Sequence, residues 1–156
     1  MLPFDRFVRT VDEWAGSNPQ HDVFIQIGSG EYEPRHARWE RIVSHQDYRR
    51  KLDECQLFVA HVGMGSILQA LEARKQILMM PRLRELGEHT TDHQLHTAAR
   101  FSGTTGLRIV DDPESLKASI SELVERPLET LVSLAPHATP ALLDGITNFL
   151  RPVGAN

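Results

Sequence analysis

Residues 57–73 admit few folds. Leu57-Phe58-Val59-Ala60 is a short apolar run bounded by polar residues, which predicts a buried strand. Two glycines follow in His61-Val62-Gly63-Met64-Gly65-Ser66. Ile67, Leu68, Ala70, Leu71 and Ala73 then fall at helical spacing. Ser66 occupies the position expected of an N-cap. A strand that turns through Gly-x-Gly into a helix presents free N–H groups and the positive end of a helix dipole, and glycine lets a ligand approach the backbone. The functional reading is a site for a polar, diphosphate-bearing ligand. The alternative is a tight strand-to-helix turn that binds nothing.

The rest of the chain repeats this alternation. Phe4, Phe7, Val8, Val11, Trp14 and Ala15 form a helical stripe that Gly16-Ser17-Asn18-Pro19 ends. Residues 23–27 read as a strand and Gly28-Ser29-Gly30 as the loop after it. Residues 31–46 are polar, with a short strand expected near Arg41–Val43. A short helix is expected at 47–54, a buried strand at 76–81 and a polar loop at 82–92. A helix over His93–Phe101, a strand at 107–110 and a helix from Asp111 onward follow. Ala141–Leu150 reads as a last amphipathic helix, with a tail to residue 156. Strands alternating with helices predict one α/β domain over residues 1–156, a Rossmann-like parallel sheet with helices on both faces. Ligands of such sheets bind beyond the carboxyl ends of the strands. That edge collects Gly28–Gly30, His61–Ser66, the loop before His93, and Asp111–Asp112.

Several classes are excluded. A net charge of −4 gives no footprint for nucleic acid. No apolar run approaches the roughly 20 residues of a membrane span, and the N-terminus lacks the pattern of a signal peptide. The single Cys55 permits no intrachain disulfide and, preceding an apolar run, reads as a structural thiol. There is no Walker motif. Leu68 stands where a dinucleotide fingerprint needs a third glycine, and no Gly-x-Ser-x-Gly elbow is present.

Other candidates surround the loop. His61 ends the central strand and is placed to bond a phosphate or sugar hydroxyl, or to order the loop. Glu72 suits ribose hydroxyls, with Gln69 as its rival. Arg82 and Arg84 suit a phosphate or carboxylate, or are solvated. His89, Asp92, His93 and His96 cluster within eight residues. No His-Glu-x-x-His is present, so no metal is expected there. The reading taken is a set of polar groups at a helix N-terminus facing the cleft.

Ala60-His61-Val62-Gly63-Met64-Gly65-Ser66, with Ala70-Leu71-Glu72-Ala73-Arg74-Lys75-Gln76, resembles the Ser-His-Ala-Gly-x-Gly-Ser…Ala-Leu-Glu-x-Gly-Lys-Pro block of family 28 glycosyltransferase C-terminal domains. Gly87-Glu88-His89-Thr90-Thr91-Asp92-His93-Gln94-Leu95 resembles the block that follows it. Leu2-Pro3-Phe4-Asp5-Arg6-Phe7 and Tyr32-Glu33-Pro34 resemble earlier parts. The resemblance implies the C-terminal, donor-binding half of a GT-B enzyme that needs no catalytic metal and no cofactor. In size the chain is similar to the donor-binding subunits of split enzymes, above all bacterial exopolysaccharide subunits.

Such a subunit would bind a UDP-sugar. A membrane-associated partner would bind the polyprenyl-diphosphate-linked acceptor and hold the complex at the cytoplasmic face of the membrane. The resemblance places Gly63, Gly65 and Ser66 against the UDP diphosphate. It puts Gln69 where the family's ribose-contacting glutamate lies, Glu72 at a second acidic position, and His93 and Gln94 at the pair that contacts the donor sugar. The implied reaction is an inverting transfer whose base comes from the partner. A non-catalytic nucleotide-binding module is the alternative. Family members usually begin with an apolar strand and a Gly-Thr loop before the Pro-Phe-Asp-Arg helix. Here Met1 directly precedes Leu2, so a truncated or late-assigned start is expected, with apolar surface uncovered by the missing strand.

Overall fold

The computed structural model describes residues 2–128 of the 156; the expected helix at 141–150 and the tail lie outside the described residues. The chain opens on helix α1 (Asp5–Ser17), followed by strands β1 (Phe24–Gln26) and β2 (Arg38–Glu40) and helix α2 (His45–Glu54). Strand β3 (Phe58–His61), helix α3 (Met64–Glu72) and strand β4 (Ile77–Met80) come next. A short 3-10 turn at Arg84–Leu86, helix α4 (His93–Phe101), strand β5 (Leu107–Ile109) and helix α5 (Pro113–Glu125) complete the order.

All strand pairs are parallel. They form two sheets, β1–β2 and β3–β4–β5. β4 lies at the centre of the larger sheet. Ile77 is 2% exposed, and Leu78, Met79 and Met80 are 0% exposed. Its alternating side chains feed two separate cores, as strand geometry requires. Leu78 and Met80 join Val8, Val11 and Trp14 of α1 and Leu116, Ile120 and Leu123 of α5. Ile77 and Met79 join Ile67 and Ala70 of α3 and Phe101 of α4. Helices therefore cover both faces. Ile25 and Ile27 bring the smaller sheet into the first core. The backbone bonds of β1 run to β2 and those of β3 run to β4, so the pairing divides between these two strands.

Three boundaries differ from the sequence reading. β2 is at Arg38–Glu40 rather than near Arg41–Val43. The cause lies in α1. Asp12 is 0% exposed, and its carboxylate accepts hydrogen bonds from Arg35 N, His36 N, Ala37 N and the Tyr32 hydroxyl. These four donors end the loop at Ala37 and start the strand there. α2 begins two residues earlier than expected because Ser44 caps it, its Oγ accepting from Asp47 N. α3 begins at Met64 with Gly63 as N-cap, so Ser66 lies inside the first turn instead of capping it.

A second carboxylate on α1 shapes the loop after β1. Asp5 accepts from Glu31 N and Tyr32 N. Arg9 stacks over the Tyr32 ring at 4.4 Å. These groups line an open concavity of about 620 Å³ between α1 and residues 31–39. Because they are already engaged with one another, this concavity is a joint between elements.

Candidate functional site

Parallel topology brings the carboxyl ends of β3 and β4 and the N-termini of α3 and α4 to one edge. His61 is the last residue of β3, paired in register with Met80 of β4. Beyond it the chain turns sharply. Gly63 N donates to the His61 carbonyl at 2.8 Å, so this amide is consumed inside the turn. Gly63 then serves as N-cap with no side chain to offer. The N–H groups of Met64, Gly65 and Ser66, in the first turn of α3, have no intrahelical acceptor. α2 and α5 are capped by the side chains of Ser44 and Asp112, whereas α3, like α1 and α4, has no side-chain cap. α3 thus keeps open donors at the sheet edge where ligands bind.

The two glycines do different work. A Cβ on Gly63 would stand 2.5 Å from Cε1 and 3.0 Å from Nδ1 of His61, so the imidazole occupies the space that a side chain would need. A Cβ on Gly65 would meet nothing within 4 Å. No neighbour in the fold asks for glycine at 65, although glycine there weakens the helix. An exposed, unhindered glycine beside open N–H groups suits the close approach of an anionic ligand.

His61 is half-buried. Burial, and next the charge of Arg82, lower its pKa from 6.5 to about 4, so the ring is neutral at pH 7. Gln94, in the first turn of α4, lies against it: Gln94 Nε2 is 3.1 Å from His61 Nδ1. Gln94 Oε1 accepts from the backbone N–H of Arg82 at 3.0 Å. Arg82 is not the solvated or ligand-facing cation the sequence suggested. It is 7% exposed, and its guanidinium donates to the carbonyls of Leu2, Pro3 and Glu88 and lies over the Phe4 ring. Glu88 in turn accepts a two-pronged contact from Arg6, at 2.9 and 2.7 Å, and a bond from Leu83 N. The segment after β4 is thereby latched to the start of α1. Arg84 is exposed in the 3-10 turn.

The remaining candidates are less closely gathered. Ser66 is partly exposed in the first turn of α3. Gln69 accepts from the Tyr48 hydroxyl at 2.7 Å, which ties α3 to α2. Glu72 is exposed at the last residue of α3, roughly 12 Å from Met64 along the axis at the helical rise. His93 is exposed at the start of α4, with its ring 6.4 Å from that of His96. Among the described residues no group of three or more His, Cys, Asp or Glu side chains is placed to hold a metal ion. Cys55 is half-buried, donates to the Leu52 carbonyl, and has its pKa pushed up by burial. Sequence reasoning offered Arg82 to a ligand rather than to the interior, and gave Glu88 no part in the site. The signal available was the run of charges at 82–88, which fits a solvated loop equally well.

A Rossmann-like parallel domain whose helix N-terminus opens at the sheet edge through Gly-x-Gly has the arrangement in which open α/β sheets bind ligands. The chain matches the glycosyltransferase family 28 C-terminal domain over residues 2–141, and it belongs to that family. A solved structure described as the glycotransferase of kitacinnamycin superposes with a TM-score of 0.64 at 24% identity. The superposition covers 93% of this chain and 39% of the other, so this chain spans well under half the length of that transferase. No match was found among curated proteins.

Proposed function

We propose that this domain is the donor-binding catalytic subunit of an inverting, UDP-sugar-dependent glycosyltransferase. Its acceptor would be a polyprenyl-diphosphate-linked sugar of exopolysaccharide biosynthesis, presented by a membrane-associated partner at the cytoplasmic face. Membership of family 28 supports the donor class. The observation that carries the site is the uncapped N-terminus of α3, with Gly65 open beside the N–H groups of Met64–Ser66. The partner and the acceptor rest on the likeness in size and motif to the donor-binding subunits of split enzymes. Among the described residues no helix is long and apolar enough to cross a membrane.

In this reading the acceptor hydroxyl attacks the anomeric carbon of the donor. The bond from that carbon to the diphosphate oxygen breaks, and UDP leaves with the electron pair. The α3 N–H groups and dipole hold the growing charge. The acceptor proton passes to a base that the family resemblance assigns to the partner. A second reading, a nucleotide-binding module without catalysis, is favoured by the chain spanning only 39% of the transferase it superposes on.

Calorimetric titration with UDP, UDP-glucuronate and UDP-N-acetylglucosamine tests the proposal. Binding that weakens on Ser66→Ala is the expected result, and transfer by the chain mixed with its partner would exclude the module reading. Absence of binding in the assembled complex would overturn the donor site.

A further inference from the structure

We propose that Gln94 is a positioning residue that fixes the His61 imidazole in its Nε2–H tautomer, so that His61 meets the donor diphosphate as a neutral hydrogen-bond donor. The part concerning the diphosphate rests on the function proposed above; the tautomer does not. Gln94 is 6% exposed and both ends of its amide are engaged. Its orientation is decided by Arg82, whose backbone N–H only donates and therefore requires the amide oxygen. The amide nitrogen is left facing His61 Nδ1. An amide nitrogen also only donates, so Nδ1 accepts, and the neutral ring carries its proton on Nε2. A proton on Nδ1 would set N–H against N–H unless the amide turned over, and the Arg82 N–H opposes that turn.

Arg82 itself is anchored. Its guanidinium holds three backbone carbonyls in the interior, so the reference point for the amide does not drift. The charged or titratable groups acting on His61 are Arg82 and His89, both on the segment after β4, and both oppose a second proton on the ring. The ring lies against Gly63, at the entry to the first turn of α3. In this proposal Nε2–H adds one side-chain donor to the backbone donors of Met64–Ser66. Gln94 acts through His61, and the second N–H of its amide stays available for the sugar contact that the family resemblance implies.

The test is long-range ¹H–¹⁵N correlation of the histidine-labelled chain, with UDP and UDP-sugar titrations of variants. At pH 7 the expected pattern for His61 is the Nε2–H tautomer. Gln94→Glu keeps an acceptor for Arg82 N–H but turns an acceptor toward the ring. It is expected to move the proton to Nδ1 and to raise the His61 titration toward neutral pH. Gln94→Leu is expected to weaken UDP roughly tenfold, as befits one lost hydrogen bond to a charged group, and UDP-sugar by at least that factor. An Nδ1–H tautomer or an imidazolium in the wild type at pH 7, with UDP still bound, would overturn the inference alone. Unchanged UDP affinity with weakened UDP-sugar in Gln94→Leu would also overturn it, in favour of sugar contact alone. An Nε2–H tautomer in a chain that binds no UDP in its assembled complex would overturn the diphosphate role together with the proposed function.

Discussion

Replacing each glycine of the loop by alanine separates architecture from ligand binding. At Gly63 the new methyl would stand 2.5 Å from the His61 ring, well inside contact distance. The ring cannot swing away freely, because Gln94 holds Nδ1. Displacing it costs about 1 kcal/mol for the broken hydrogen bond and about 1–3 kcal/mol for overpacking. Gly63→Ala is therefore expected to destabilise by roughly 2–4 kcal/mol, a large part of the stability of a domain this size. At Gly65 the methyl meets nothing, and removing a helical glycine gains up to about 1 kcal/mol. Gly65→Ala should thus be neutral or more stable, yet lose UDP affinity by about tenfold or more, since its methyl occupies the space a phosphate oxygen would enter. Urea unfolding at constant m-value measures the first effect, and UDP titration measures the second. Equal stabilities of the two variants would refute the steric argument. Wild-type UDP affinity in Gly65→Ala would refute the placement of the ligand.

Two further variants probe the scaffold beneath the site. In Asp12→Asn the amide turns its N–H₂ toward Tyr32, whose hydroxyl can accept, and Arg35 N, which cannot, so one charge-assisted bond is lost and the rest lose their charge; a cost of about 2–3 kcal/mol is expected, read from the urea midpoint. Burial acts to raise the pKa of Asp12, but the Arg35, Tyr32, Ala37 and His36 donors outweigh it and hold the carboxyl below its usual range. Its folded pKa lies below the unfolded value of about 3.9, so its stabilisation is full above that pH and is lost as pH falls through the folded value. Acid unfolding of Asp12→Asn should accordingly show a weaker pH dependence below about pH 4 than the wild type. Arg6→Ala leaves the buried Glu88 carboxylate without its cation and should cost about 3 kcal/mol, while hydrogen exchange quickens across residues 82–89. Slow exchange there, unchanged in the variant, would show that the latch is not needed.

Most elements were legible because their signals are local. The apolar stripe at Val8, Val11 and Trp14 shows one face of a helix, and the run Ile77–Met80 shows a strand covered on both sides, whatever surrounds them. Gly-x-Gly after an apolar run likewise announced an open helix start, although the cap proved to be Gly63 rather than Ser66. The position of β2 was not legible. It depends on Asp12, a helical carboxylate that reads as surface until the loop 23–25 residues away brings its N–H groups to it. The contact between Gln94 and His61 spans 33 residues, and the bonds from Arg82 to Pro3 and Leu2 span 79 and 80. Periodicity reports which side of an element avoids water, and that is a property of the segment alone. Which polar group finds which partner inside depends on where separate segments end in space. That choice fixed the state of His61 and turned Arg82 inward, and only the tertiary structure made it.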